Sequence, residues 1–195
     1  GTHPMFSPMT PSIAGQNVIL CPARGFSETG GIWLPWLEGL LREKGAMVTR
    51  MTPAAHDEKM AISQSLMHFL TLALARMLQN MGLRAEDTFL FSTPIFRLNV
   101  DLIGRLFSQD IALYAELVSK NRHAPEIFDR FAAAMEECRT AFFAGDEQRL
   151  LAFFSEMRQF FGDAFCQSAL RETNSALDRL YETVKEMNAE RQDTG

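Results

Sequence analysis

The sequence predicts a mainly α-helical protein that begins with a small βαβ unit. Two short runs rich in β-branched residues lie near the start and flank one amphipathic segment. From residue 52 onward, long apolar segments follow one another, with capping residues and glycines at their ends. The 16 Phe and 11 Met residues bury apolar area without needing polar partners, which suits helix–helix contacts and subunit interfaces. We therefore expect two regions, at residues 1–51 and 52–195.

The βαβ unit rests on four consecutive segments. "NVILCPA" (17–23) is predicted to form a buried strand, and "AMVTRMT" (46–52) a second one. Between them we expect a turn-rich loop at 24–31 and an amphipathic helix at 32–45, which Gly45 ends. Two strands are not stable alone, so this unit is expected to be the edge of a larger sheet.

A long helix is predicted behind it. Thr52 is its cap, Pro53 occupies the first helical position, and Gly82 ends it. Such a helix has about 28 residues and a length of roughly 42 Å. Its middle, "LMHFLTLALARML" (66–78), is apolar on nearly every side, which is typical of a helix buried in a bundle or a dimer.

Further helices are predicted along the rest of the chain. One begins at Pro94, with Ser92 or Thr93 as its cap. Breaks are expected near 121–125 and at Gly145. The other predicted helices cover residues 111–121, 124–145 and 146–192.

Composition excludes several classes of protein. The net charge of −5 argues against a general nucleic-acid surface, so an anionic ligand needs local cations. The three cysteines are far apart and form no CxxC motif, which indicates free thiols in a reducing compartment. No signal peptide and no apolar run of membrane-spanning length is recognised. We expect a cytoplasmic protein that binds neither a membrane nor a nucleic acid.

Polar residues within the long apolar helix are candidates for chemistry. His56, Gln64 and His68 recur at multiples of four residues, with Met60 between the first two. His56 and His68 are about 18 Å apart along such a helix, so they cannot bind one metal together, and no metal site is expected. Taken alone, His68 is interpreted as a hydrogen-bonded core histidine, and His56, in the first helical turn, as a surface residue.

A second cluster lies on the helix that starts at Pro94. Arg97, Asp101 and Arg105 stand at successive steps of four, and Gln109 follows one turn later. One interpretation is a solvated ladder of ion pairs, each worth a few tenths of a kcal/mol. The other is a carboxylate-binding pocket, because apolar neighbours surround both arginines and guanidinium groups bind carboxylates in a bidentate manner. The chain has no GxGxxG motif, Walker loop or GxSxG motif.

Four stretches, in order, resemble the bacterial prephenate dehydrogenase family: "THPMFSP" (2–8), "HDEKMAISQSLMHF" (56–69), "STPIFRLNVDLIGRLFSQD" (92–110) and "FFSEMRQFFG" (153–162). The resemblance implies that the βαβ unit at 1–51 is a remnant of a Rossmann-type domain whose nucleotide-binding half precedes residue 1. It also implies that residues 52–195 form a helical domain for dimerisation and substrate binding.

The family's reaction is the NAD- or NADP-dependent oxidative decarboxylation of prephenate to 4-hydroxyphenylpyruvate, in tyrosine biosynthesis. By resemblance, His3 accepts the proton of the substrate hydroxyl, and Arg105 pairs with a substrate carboxylate. Arg97 would be a second cation. The other expected substrate-binding residues are His68, Gln64, His56 and Gln109. The expected ligand is prephenate or a related small dianion, and the expected assembly is a homodimer.

Some alternatives stay open at this stage. The family phrase has Gly where this chain has Ser7, which puts the loop beside His3 in question. The substrate could be arogenate instead of prephenate, and the helices could form a non-catalytic dimerisation or ligand-sensing module. The sequence does not decide between NAD and NADP, or whether tyrosine is an effector or a chorismate mutase domain is fused. Without a dinucleotide motif, the chain alone is expected to be inactive.

Overall fold

The computed structural model describes the backbone of residues 1–22 and 31–193, and the side chains within these ranges as far as residue 186. The loop predicted at 24–31 lies outside the described residues except for Gly31. Most described residues are helical, and the strands all lie near the N-terminus. The prediction of a mainly α-helical protein with a small N-terminal sheet is therefore confirmed.

The sheet has the strand order β1–β2–β3, with β1 at Thr2–Pro4, β2 at Asn17–Leu20 and β3 at Met47–Arg50. β2 and β3 are parallel and are connected through helix α1 (Trp33–Glu43), as the predicted βαβ unit requires. Gly45 ends that connection with φ +81°. β1 is a strand that the sequence did not predict, and it pairs with β2 in antiparallel orientation.

The two faces of this small sheet bury different residues. Val18 and Leu20 point to one face, where they form a cluster with Ala46 and Val48 and contact the apolar side of α1. Ile19 and Cys21 alternate to the other face and pack against Met60. Because α1 already covers the first face, the second face is free to receive the next helix of the chain.

The long helix predicted from residue 53 forms with one change of winding. Helix α2 (Pro53–Met60) leads into a π-helical segment (Ala61–Leu66), which continues as helix α3 (Met67–Asn80). Thr52 caps the start as expected, since its Oγ1 accepts a hydrogen bond from the Ala55 amide at 3.2 Å. The π-helical segment was not predicted, because no Pro or Gly marks it.

The remaining helices start largely where capping residues place them. Thr93 accepts the Phe96 amide at 3.3 Å, and Asp110 and Asp146 cap helices in the same manner. The predicted single helix at 146–192 is wrong: Gly162, with φ +81°, divides it into two. A short helix, α4, was not predicted. The bounds are α4 Ala85–Phe89, α5 Pro94–Phe107, α6 Ile111–Ser119, α7 Ala124–Phe143, α8 Glu147–Phe161 and α9 Asp163–Asp193.

The continuous helical stretch Pro53–Asn80 changes one expectation. Its 28 residues are long and apolar enough to cross a membrane, by length and composition. The expectation that no apolar segment reaches membrane-spanning length is therefore wrong. The apolar second half of this helix continues its polar first part without a break, so the whole helix is long enough. Core helices of other proteins pass the same test. Here Met60 packs on the sheet, and the Ser65 hydroxyl donates to the Leu117 carbonyl of α6 at 3.1 Å, which are contacts with protein.

The chain divides into two compact units. The first combines Gly1–Leu70 with Asp110–Phe128, so it holds the sheet, α1, α2, the π-helical segment and α6. The second combines Thr71–Gln109 with Asp129–Gly195 and holds α4, α5, α8 and α9. The domain limits predicted from the sequence, 1–51 and 52–195, stay a prediction. All three cysteines are free, as expected.

Met60 offers a test of the contact between α2 and the sheet. Met60→Ala removes a side chain that is 6% exposed, and we expect it to lower the free energy of unfolding by about 2–4 kcal/mol. Met9→Ala, at a side chain 87% exposed, is the matched control and should change stability by less than about 0.5 kcal/mol. Urea unfolding followed by circular dichroism measures both, and equal midpoints would contradict this packing.

Candidate functional site

The register of the sheet determines where His3 points. His3 lies directly opposite Ile19 in the antiparallel β1–β2 pair. Residues opposite each other in such a pair carry their side chains on the same face of the sheet. Since Ile19 faces Met60 of α2, the His3 imidazole also lies on the α2 side, where it is half-buried.

Two polar side chains of the long helix meet the His3 ring there. The His56 Nε2 atom lies 2.7 Å from His3 Nδ1, and the Gln64 Nε2 atom lies 3.2 Å from His3 Nε2. In an α-helix, two steps of four residues turn the side chains about 80° apart. The π-helical turn between them holds more residues per turn and offsets this rotation. His56 and Gln64 therefore reach opposite edges of one imidazole.

A single set of tautomers satisfies these contacts. Asp57 lies 2.9 Å from His56 Nδ1, and a carboxylate only accepts, so His56 carries its proton on Nδ1. The His56 Nε2 atom is then an acceptor for the Nδ1–H of His3. The Gln64 amide donates to His3 Nε2, which carries the remaining lone pair. The His3 ring thus presents a basic nitrogen at the edge that Gln64 contacts.

The electrostatics of the site favour neutral imidazoles. Burial, and next the charge of His56, lower the pKa of His3 below the ordinary value of 6.5. Burial also lowers the pKa of His68. Both groups are consequently neutral near pH 7 and able to accept a proton or a hydrogen bond.

A cavity of about 280 Å³ adjoins His56 and Gln64 and is closed on one side by α6. Lys120 and Glu116 form an ion pair at 2.7 Å in its lining. Asn121 donates from Nδ2 to the Asp57 carbonyl oxygen at 2.7 Å and so ties the start of α2 to the end of α6. Sequence reasoning missed Lys120 and Asn121, because nothing in their local sequence relates them to a helix sixty residues earlier.

His68 lies further along the same helical stretch. Its ring packs edge-on against Tyr114 of α6, with ring centroids 4.6 Å apart and planes at 84°. His68 is half-buried, which is compatible with the interpretation of this residue alone as a core histidine. His56 has partners on both ring nitrogens, Asp57 and His3, and is not a solvated surface residue.

The predicted arginine cluster lies in the second compact unit. Arg97 pairs with Asp101 at 3.1 Å, and its guanidinium carbon lies 3.5 Å from the centroid of the Phe89 ring. Arg105 is exposed, so the expectation that apolar neighbours enclose it is wrong for this chain. The reason is that Leu106, not Arg105, turns to the buried side of α5. Gln109 donates from Nε2 to the Arg105 carbonyl at 3.2 Å.

The loop that follows His3 accommodates the departure from the family phrase. Ser7 does not adopt a positive φ, and its Oγ accepts a hydrogen bond from the Met9 amide at 3.2 Å. A glycine is therefore not required at this position. Within residues 1–22 and 31–186, no three His, Cys, Asp or Glu side chains are grouped so that they could hold a metal ion.

The lowered pKa values of His3 and His68 predict a pH-dependent stability. The unfolded state binds protons at a higher pH than the folded state, so stability should rise between about pH 5 and pH 7 and be lost as pH falls. The variant His3→Gln/His68→Gln should flatten this rise, whereas His123→Gln should keep it. Urea midpoints at several pH values measure the effect, and a flat profile of the unmodified chain would contradict it.

The chain is similar to several known proteins. A family model described as "Prephenate dehydrogenase, dimerization domain" matches residues 52–156. The chain is 32% identical to the T-protein of Enterobacter agglomerans over 163 residues, which are 84% of this chain and 42% of that protein. It is 29% identical over 187 residues to a probable arogenate/prephenate dehydrogenase of Methanocaldococcus jannaschii, covering 96% and 41%. The chain spans less than half the length of these relatives.

Solved structures show the same fold at lower identity. Prephenate dehydrogenase from Aquifex aeolicus superposes with a TM-score of 0.58 at 20% identity, over 81% of this chain and 56% of that one. The A. aeolicus enzyme in complex with hydroxyphenyl propionate and NAD+ gives a TM-score of 0.55 at 18% identity, over 74% and 49%. Since the matched family model covers more than half of the 195 residues, the chain belongs to the prephenate dehydrogenase family.

Proposed function

We propose that this chain supplies the catalytic base and part of the substrate site of a prephenate dehydrogenase. The observation that carries the proposal is the His3 ring, which is neutral, oriented by His56 through Nδ1 and basic at Nε2. A dehydrogenase that oxidises an alcohol needs such a base to accept the hydroxyl proton. Membership of the prephenate dehydrogenase family supports this role.

In the proposed reaction, the prephenate hydroxyl donates to His3 Nε2, at the edge of the ring that Gln64 now contacts. A bound NAD would supply the hydride acceptor for the carbon that bears this hydroxyl, and the part of this chain is to hold the hydroxyl at His3. His3 accepts the hydroxyl proton as the hydride leaves. The carbon–carbon bond to the ring carboxylate then breaks, carbon dioxide leaves, and the electron pair of that bond makes the ring an aromatic phenolate. The proton returns from Nε2 to the phenolate oxygen, so His3 regains its starting state.

The cofactor is proposed to bind mainly through residues other than those of this chain. The parallel β2–α1–β3 unit is of the kind found in dinucleotide-binding sheets, but the chain has no GxGxxG phosphate-binding motif. We therefore propose that the chain acts together with a dinucleotide-binding domain and is inactive without it. NAD is preferred over NADP because an A. aeolicus relative in the family was solved with NAD+.

The other predicted substrate residues are kept as proposals, each argued from its own surroundings. Gln64 and His68 offer neutral hydrogen-bonding groups, and Arg105 is an exposed cation that we propose for a carboxylate. Arg97 is held by Asp101 and Phe89, so its part is to support α5 and add positive potential. Gln109, whose amide contacts the Arg105 carbonyl, is proposed as a further polar contact.

Arogenate is the second candidate substrate. The name of the Methanocaldococcus jannaschii relative covers both arogenate and prephenate. Arogenate carries an amino group where prephenate has a keto group, and the ring that reacts at His3 is the same. Assays of the enzyme should therefore include both compounds.

The assembly is proposed to be a cytoplasmic homodimer formed by the helices. Helices α7 to α9 expose large apolar side chains, among them Phe143 at 81% and Phe160 at 84%. Large exposed apolar patches mark interaction surfaces, and the matched family model is described as a dimerization domain. The apolar helical stretch Pro53–Asn80 is interpreted in the same way, as an interface helix and not a membrane span.

His3→Asn tests the proposed base. In the dehydrogenase that this chain forms with a dinucleotide-binding domain, we expect kcat for prephenate to fall by about 10²–10⁴-fold, because Asn cannot accept the proton. His123→Asn is the matched control, since His123 lies outside the site and contacts Arg122. Production of NADH measures turnover. Full activity of His3→Asn would refute the proposed role.

Arg105→Ala tests the proposed carboxylate contact. We expect KM for prephenate to rise about 10-fold or more with a smaller change in kcat, because a charged hydrogen bond to the substrate is lost. Arg139→Ala removes another arginine from the surface and should leave KM unchanged. Arg105→Lys keeps the charge and should retain part of the affinity. An unchanged KM for Arg105→Ala would remove this residue from the substrate site.

A further inference from the structure

His56 has no ring nitrogen left to bind a substrate. Its Nδ1 atom is 2.9 Å from the Asp57 carboxylate and its Nε2 atom is 2.7 Å from His3. Both distances are those of hydrogen bonds, and the His56 side chain is only 21% exposed. Direct substrate binding, which the sequence predicted for His56, therefore does not fit its contacts.

We propose that His56, held by Asp57, is the positioning residue of this site: it fixes His3 as the Nδ1–H tautomer and receives the catalytic proton from it. The proposal rests on the proposed function of His3 as the base. Nothing in the sequence assigns this part, because His3 and His56 are 53 residues apart.

The direction of the hydrogen bonds supports the first half of the proposal. An ionised carboxylate cannot donate, so Asp57 sets the tautomer of His56, and the lone pair on His56 Nε2 sets that of His3. If His56 carried its proton on Nε2, its N–H group would face the N–H group of His3, and the Asp57 carboxylate would face a lone pair. Either contact loses a hydrogen bond at a partly buried position.

The short distance between the rings supports the second half. When His3 Nε2 accepts the hydroxyl proton, the ring becomes an imidazolium with N–H groups on both sides. The Nδ1–H bond of His3 can then break as an N–H bond forms at His56 Nε2, 2.7 Å away. The positive charge would rest beside the Asp57 carboxylate, and the same steps in reverse return the proton. No other reactant is required.

Among the charged groups near His3 and His56, Asp57 has the strongest influence on the two imidazoles, because the others are paired or neutral. On α6, Glu116 and Lys120 line the same cavity, but they are paired with each other at 2.7 Å. The neutral Gln64 faces His3 from the π-helical segment. Cys21, which follows β2, is a buried thiol whose pKa burial raises, so it adds no charge near pH 7. The side chain of Asp57 is 52% exposed, so water screens part of its effect.

Asp57→Asn tests the relay in the dehydrogenase formed with a dinucleotide-binding domain. We expect kcat to fall at least 10-fold, and the acidic limb of the profile of kcat/KM against pH to move to lower pH. The limb moves because the carboxylate that accepts from His56 Nδ1 is lost, which makes a positive charge on the two imidazoles less favourable. Glu58→Gln is the matched control, since it removes the adjacent exposed carboxylate, and it should leave both quantities unchanged. Asp57→Glu should recover part of kcat.

Imidazole nitrogen NMR of the 195-residue chain provides a readout that is independent of turnover. We expect His3 to be the Nδ1–H tautomer at pH 7, and His56→Leu to produce a mixture of tautomers while the chain stays folded by circular dichroism. An Nε2–H tautomer in the unmodified chain would overturn the proposal, as would an Asp57→Asn profile equal to that of Glu58→Gln. A catalytically competent His3→Asn would instead overturn the proposed function itself.

Discussion

The packing of α2 on the second face of the sheet is the constraint on which the candidate site depends. β2 alternates Val18 and Leu20 to one face and Ile19 and Cys21 to the other. Met60 fills the second face, and this contact places the residues one turn before and one turn after it above β1. A shift of β1 by one residue would move His3 to the α1 side and separate it from both partners. The contacts of His3 with His56 and Gln64 therefore depend on the register of β1 and on the packing of Met60.

The π-helical segment converts that packing into a site. Steps of four on an α-helix drift around the axis, so His56 and Gln64 would not both reach a single ring without a local change of winding. The wider turn at Ala61–Leu66 removes the drift, and its Ser65 hydroxyl bonds to the Leu117 carbonyl of α6. Such interruptions of α-helices are frequent at functional sites because they realign side chains at the cost of regular hydrogen bonding.

Sequence reasoning predicted the helix limits that local residues determine. Helices begin after the capping residues Thr52 and Thr93, and they end before the glycines that follow α1 and α7. The short strand β1 carries no such signal, because three residues that include a proline show no periodicity. It exists only because β2 offers a free edge. Similarly, the stripe of His56, Gln64 and His68 was visible in the sequence, but the contact of His56 with His3 depends on tertiary packing.

The close contact of two imidazoles also limits how much charge the site can hold. At 2.7 Å one ring must offer a lone pair to the N–H of the other, so His3 and His56 cannot both be cations. Burial, and next the charge of His56, lower the pKa of His3, which favours the neutral form of the His3 ring before reaction. Asp57 makes a single positive charge tolerable afterwards. A pair that accommodates one positive charge fits the proposed oxidation, which releases one hydroxyl proton and later returns it. Because the chain carries a net charge of −5, a dianionic substrate is not attracted by the protein as a whole. In the proposed function, substrate binding therefore depends on local cations, for which Arg105 is our proposal, while the histidine pair handles the proton.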